Sequence, residues 1–182
     1  MLTNKPKTKI LVDGGDPDET LRVKKLLGLV DGQTTNPSLI AKNPNMVSIN
    51  AGFLIDMAGQ VFSEAIGEKQ YSGVGGQLEF VQGAFYSPGG RSIMCIKSSV
   101  KKDGKHFSNI VCEAPAGSIV STPRHFVQWV VTEYGAVNLF GVSDEERPFK
   151  LIEIAHPDFR EELKKQAVER DKAHYHSRLS HG

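Results

Sequence analysis

The stretch that most constrains this chain is Tyr71-Ser72-Gly73-Val74-Gly75-Gly76-Gln77-Leu78-Glu79-Phe80. Its glycines, Gly73, Gly75 and Gly76, lie between polar residues and the apolar pair Leu78 and Phe80. Glycine carries a large entropic cost on folding, so a cluster marks a turn with positive φ or a close approach to the backbone. Such a turn exposes successive N–H groups, which can form a concave nest for an anion or a developing oxyanion. A tight turn between a strand and a helix accounts for the same spacing, and both readings stand at this point. The spacing is not Gly-x-Gly-x-x-Gly, and no Gly-Lys-Ser/Thr follows, so neither nucleotide fingerprint applies.

A chain of 182 residues fits one domain, or one with a short appendage, and can bury a real core. Its 22 Lys and Arg residues balance 21 Asp and Glu, which gives no electrostatic case for nucleic acid or an anionic membrane. No 18-residue apolar run and no signal-peptide core are present, so a cytoplasmic protein is expected. Cys95 and Cys112 read as small buried residues on strand-like segments, not as a disulfide or metal pair. His174 and His176 read as part of a frayed tail, and no metal site is expected.

The N-terminal segment, residues 1–44, reads as a β-α-β unit. Lys9 to Val12 is a short strand ending at Asp13. Asp16 and Pro17 open a helix whose apolar face is Leu21, Val23, Leu26 and Leu27. A second strand, Leu29 to Thr34, leads to Asn36, and Ser38 to Lys42 is a helical turn. Asp13 and Asn36 thus fall at carboxyl ends of strands, where α/β proteins place their chemistry. An Asx-turn at Asp13 and a helix cap at Asn36 explain the same residues.

Residues 45–182 read as the main domain. Strands are expected over Met46 to Ile49, Val61 to Glu64, Arg91 to Ser98, Phe107 to Val111 and Gly117 to Thr122. Lys101 to Lys105 is a solvated hairpin loop. The strongest strand is Val127 to Thr132, β-branched and aromatic throughout, with Glu133 directly after it. Phe80 to Ala84 and Ala136 to Phe140 are expected as short helices. Ser143 and Glu146 form a capping box for a helix reaching Ala155, and Phe159 to Arg178 is a charged C-terminal helix.

From Met46 to about Ala167 the chain resembles the C-terminal region of the acetyl-CoA hydrolase / 4-hydroxybutyrate CoA-transferase family. The resemblance rests on Met46 to Asn50, Asp56, Gly59 to Val61, Ser63-Glu64, the glycine stretch Tyr71 to Phe80, Val131 to Gly135, and Ala155 to Arg160. It implies a three-layer α/β domain with a mixed sheet and helices on its faces. Asp13 and Leu29 to Asn43, with Thr34, Thr35 and Asn36, are instead similar to the opening strands of transaldolase-type aldolases. No working aldolase is expected, because that family's Schiff-base lysine sits on a later strand absent here and its barrel takes around 250 residues. The two resemblances meet at Ile40 to Asn45, as in a fusion.

In the CoA-transferase family a glutamate carboxylate attacks the acyl-CoA thioester and ends as a glutamyl–CoA thioester. Backbone N–H groups of the glycine loop contribute the oxyanion hole. The resemblance therefore implies a catalytic role for Gly75 and Gly76, and a CoA-side role for Gly73, Val74, Gly75, Gly76 and Gln77. Asn36 is a further candidate facing the thioester. Acyl-CoA and a small carboxylate are the implied ligands, with no metal. The family's nucleophile lies upstream of the matched region, and none of Glu64, Glu79 and Glu133 corresponds to it. Lys97, Phe62 and the Asp144-Glu145 pair also depart from the family pattern. The expectation is an incomplete transferase or hydrolase that requires a partner half, or a non-catalytic CoA-ester-binding module. Uncovered apolar surface would make it a homo-oligomer.

Overall fold

The computed structural model describes residues 37–179, together with Leu11, Val12, Lys25, Gly32 and Gln33. Two short strands, β1 (Leu11–Val12) and β2 (Gly32–Gln33), pair in parallel, as a β-α-β unit requires. Of the helix expected between them only Lys25 is described, and it is helical. Asp13, Thr34, Thr35 and Asn36 lie outside the described residues.

Four strands form the central sheet: β3 (Val47–Gly52), β8 (Arg91–Ile96), β12 (Trp129–Thr132) and β13 (Gly135–Asn138). Their order is β13-β12-β8-β3, with β3, β8 and β12 parallel and β13 antiparallel. A second sheet joins β4 (Leu54–Asp56) to β5 (Val61–Phe62) and β11 (Ile110–Val111). The remaining strands are hairpin pairs: β6 (Ala65–Ile66) with β7 (Lys69–Gln70), and β9 (Ser99–Lys102) with β10 (Lys105–Ser108). Helices α1 (Pro37–Lys42), α2 (Gln77–Tyr86), α3 (Arg147–Glu153) and α4 (Pro157–Leu179) complete the α/β architecture. Mixed sheets carrying helices are what the sequence reading expects.

The register divides the central sheet into two unlike faces. Met94 is in register with Asn50 on one side and Val130 on the other, and Val130 opposes Val137. Met94, Val130 and Val137 are buried, and they join Ile55, Val61, Val81, Leu139, Leu151 and Ile154 in one core. The alternate face carries Val47, Ile49, Ile93, Cys95, Trp129 and Val131. On this face Val47 is 36% and Ile49 68% exposed, and Ile93, Cys95, Trp129 and Val131 are half-buried. Parallel strands ordinarily have both faces covered. Among the described residues β3 is also an edge strand.

Several local expectations change. Ala136 to Phe140 is not helical: Gly135–Asn138 forms β13, folded back on β12 through Glu133 and Tyr134. Ala and Asn are poor strand formers, and the pairing with β12 overrides that preference. Gly117 to Thr122 is not a strand: only Thr122 forms a β-bridge, to Val61, while Ser121 adds one N–H bond to the Val61 carbonyl. The segment Phe107 to Val111 divides, β10 pairing antiparallel with β9 and β11 parallel with β4. Ser143 and Glu146 do bond, the Glu146 N–H donating to Ser143 Oγ at 3.2 Å and the hydroxyl donating back to the carboxylate. The helix itself starts at Arg147 and ends at Glu153.

Candidate active site

The glycine stretch links β7 to α2. Its first turn hangs from Glu64, whose carbonyl accepts the N–H groups of Tyr71 (2.8 Å) and Ser72 (3.3 Å). The Glu64 side chain is buried and accepts a hydrogen bond from Ser121 Oγ at 3.2 Å. That placement makes it an anchor of the loop and not a free carboxylate. Gly75 has φ of 62°, the left-handed region that side chains resist. Gly76 follows at φ −99° as the residue capping α2. A positive-φ glycine directly before a helix start is the kind of turn in which backbone nests form. A Cβ at Gly73 or Gly75 would meet nothing within 4 Å, so the loop borders open space on that side.

The helix start joins this loop to the carboxyl end of the sheet. Gln77 Nε2 donates to the Ala51 carbonyl at 3.2 Å and approaches Met94 Sδ at 3.8 Å. Gln77 Oε1 is buried and has no hydrogen-bond partner among the described residues. Tyr71 meets Phe53 edge to face at 5.4 Å, with Lys69 Nζ 5.0 Å over the Tyr71 ring.

Ala51 and Phe53 also line a cavity of about 620 Å³. Its walls are the carboxyl ends of the three parallel strands: Gly52 from β3, Cys95 and Ile96 from β8, Val131 and Thr132 from β12. This is where open α/β sheets bind ligands. Gly52 is required there, because a Cβ would lie 2.6 Å from Val61 Cγ1. A second cavity of about 440 Å³ shares Phe53, Ile66, Val100 and Asn109 with the first and extends to Tyr71 and Pro115. Together they form a mostly apolar groove beside the glycine loop, with Lys97 and Lys102 at its edges.

Glu133 lies in the wall of the larger cavity but is committed to a neighbour. Its carboxylate accepts the Ser98 hydroxyl at 2.7 Å and the Ser98 N–H at 3.0 Å. The hydroxyl bond is the largest influence on its acidity, and with the Ser98 N–H it holds the carboxyl below its ordinary range against a smaller effect of burial. A carboxylate held this way serves as a structural partner. Glu79 is exposed in the first turn of α2, where it complements the helix dipole.

Of the residues expected to act, Gly73, Val74, Gly75, Gly76 and Gln77 form one loop and helix start that lines neither cavity; Tyr71 and the Gln77–Ala51 bond connect it to the groove. Two features escaped the sequence reading. Cys95, expected to be buried, is half-buried and lines the cavity. His106, His156 and Asp158 converge, each offering one ligand atom within 4.8 Å of the others. Residue types at separations of this size carry no local signal.

The acetyl-CoA hydrolase/transferase C-terminal domain model matches residues 24–167, well over half of the chain. The chain belongs to the acetyl-CoA hydrolase/transferase family. The match begins inside the segment whose Thr34, Thr35 and Asn36 resemble transaldolases. A probable butyrate:acetyl-CoA coenzyme A-transferase of Syntrophomonas wolfei is 44% identical over 134 residues, 74% of this chain and 30% of that protein. A 4-hydroxybutyrate coenzyme A transferase of Clostridium kluyveri is 51% identical over 128 residues, 70% of this chain and 29% of that protein. Among solved structures, RipA from Yersinia pestis superposes with a TM-score of 0.70 at 35% identity, covering 89% of this chain and 43% of that one. The chain thus spans under a third of the length of these curated relatives. No helix among the described residues is long and apolar enough to cross a membrane.

Proposed function

We propose that this chain is the CoA-ester-binding part of a CoA-transferase or acyl-CoA hydrolase, and that its nucleophilic glutamate comes from outside these 182 residues. The observation that carries the reading is the Gln77 bond to the Ala51 carbonyl, which ties the Gly75–Gly76 loop to a wall of the groove at the carboxyl ends of β3, β8 and β12. In this reading the nest N–H groups stabilise the thioester oxyanion. The apolar groove takes the acyl chain and the pantetheine arm. Gln77, tied to Ala51, holds the loop against the groove wall.

Three described carboxylates have other engagements: Glu64 is buried against Ser121, Glu133 is held by Ser98, and Glu79 faces solvent. Turnover therefore requires a carboxylate from outside these residues. The half-covered sheet face from Ile49 to Val131 supports an assembly, with a second copy or a transferase half seated on it. Asn36 is retained as a residue facing the thioester.

The purified chain is tested with acetyl-CoA and butyryl-CoA, following binding by calorimetry and free thiol by a chromogenic assay. Binding of both without thiol release is expected. Absence of binding would overturn the reading. Release that disappears in Gly75→Val would place a nucleophile within this chain and overturn the incompleteness.

A further inference from the structure

Away from the groove, the hairpin β9–β10 lies against the start of α4. His106 comes from β10, His156 immediately precedes Pro157, and Asp158 is in the first turn of the helix. Asp158 Oδ2 is 3.6 Å from His106 Nδ1 and 3.6 Å from His156 Nδ1. Both separations exceed an ordinary hydrogen bond, so the carboxylate faces both rings without bonding to either.

Each ring also makes one hydrogen bond. His156 Nδ1 accepts the backbone N–H of Asp158 at 3.3 Å. His106 Nε2 lies 3.0 Å from Ser99 Oγ. In the tautomer that directs Nε2–H at that oxygen, the His106 Nδ1 lone pair faces Asp158. These two ring nitrogens and the carboxylate oxygen come from separate elements and face one another; an ion between them would replace the Asp158 N–H at His156 Nδ1.

The dimensions suit one ion. Donor atoms around a tetrahedral centre with bonds of about 2.1 Å stand about 3.4 Å apart. The two nitrogen–oxygen separations are 3.6 Å, and no pair of ligand atoms is more than 4.8 Å apart. The rings are already oriented. They meet edge to face at 4.7 Å, Phe159 supports His106 at 4.8 Å, and Tyr134 flanks His156 at 5.3 Å. Ser99 supplies the outer hydrogen bond that fixes a ligating imidazole. Both histidines are half-buried while Asp158 is exposed, which leaves a side open for water. Two nitrogens and one oxygen suit zinc and its neighbours, whereas calcium and magnesium favour oxygen shells.

We propose that His106, His156 and Asp158 bind one transition-metal dication of the zinc class, clipping the β9–β10 hairpin to the start of α4. The inference is independent of the CoA reading, because none of the three residues lines the groove.

The test uses the full chain, stripped of metal and carrying His174→Ala and His176→Ala so that the tail cannot contribute. Zn2+ is titrated by calorimetry, and Co2+ is followed by its visible absorption. One ion per chain is expected, with affinity weakened about tenfold or more in His106→Ala and in the conservative Asp158→Asn. Zn2+ should raise the melting temperature of the parent and leave that of each variant unmoved. No stoichiometric binding at micromolar Zn2+ would overturn the proposal, as would equal binding by His106→Ala. Binding seen only when His174 and His176 are intact would overturn it too.

Discussion

Gln77 Nε2 donates to the Ala51 carbonyl at 3.2 Å, so the residue following the glycine pair is fastened to the carboxyl end of β3. Position in the groove and conformation of the loop are thereby coupled. Replacing Gln77 by Met should lower stability by about 1 kcal/mol, the usual net worth of one such bond. It should weaken acetyl-CoA binding more than Glu79→Gln, which alters only an exposed side chain. Chemical denaturation and calorimetry on the pair of variants check this.

Gly75 and Gly76 should behave differently despite being neighbours. At φ of 62°, a Val at Gly75 carries backbone strain of about 1–3 kcal/mol. Gly76 sits at φ −99°, and a Cβ there meets the Phe80 ring at an ordinary 3.4 Å. Gly76→Ala should therefore fold with near-parental stability and Gly75→Val should not. Thermal melts of the two separate them.

Glu133 gives the domain an acid-sensitive contact. Its carboxyl is held below the ordinary value by Ser98, so the contribution is complete above the unfolded-state pKa and is lost as pH falls through the lower, folded one. Glu133→Gln and Ser98→Ala should each flatten the decline of melting temperature on the acid side while leaving the slope near neutrality unchanged. Melting curves recorded from neutral pH into the acid range measure this directly.

The two cysteines should respond differently to alkylation. Burial is the largest influence on Cys112 and pushes its thiol above the ordinary range, which slows its reaction at neutral pH. Cys95 lines the groove, so acetyl-CoA should protect it from iodoacetamide. Mass spectrometry of the alkylated chain, with and without acetyl-CoA, reads both sites.

The open sheet face should drive association. Ile49 is 68% exposed on an edge strand, and its neighbours on that face are apolar. A concentration-dependent dimer or larger assembly is expected by analytical ultracentrifugation, and Ile49→Lys should shift it toward monomer. A monodisperse monomer at all concentrations would contradict this.

How much of this was legible in the sequence depends on range. The glycine stretch and the strand ending at Thr132 were visible because glycine clustering and β-branched runs are local signals. The role of the glycine loop was implied by the family resemblance, and its tie to β3 through Gln77 and Ala51 by neither spacing nor resemblance. β13 was misread because Ala136, Val137 and Asn138 carry little strand preference, and their state is decided by pairing with β12. Glu133 stood out as a carboxylate after a strong strand, but only the fold shows Ser98 holding it. His106 and His156 gave no warning, since a hairpin and a helix start from distant parts of the chain bring them together.

The central claim is that the Gly75–Gly76 loop and its groove receive an acyl-CoA thioester. Calorimetric titration of acetyl-CoA into the purified chain and into Gly75→Val tests it most directly. Saturable binding by the parent, weakened at least about tenfold in a folded Gly75→Val, is the predicted result, a loss of about 1.4 kcal/mol. Equal affinity in the two, or no binding by the parent, would contradict it.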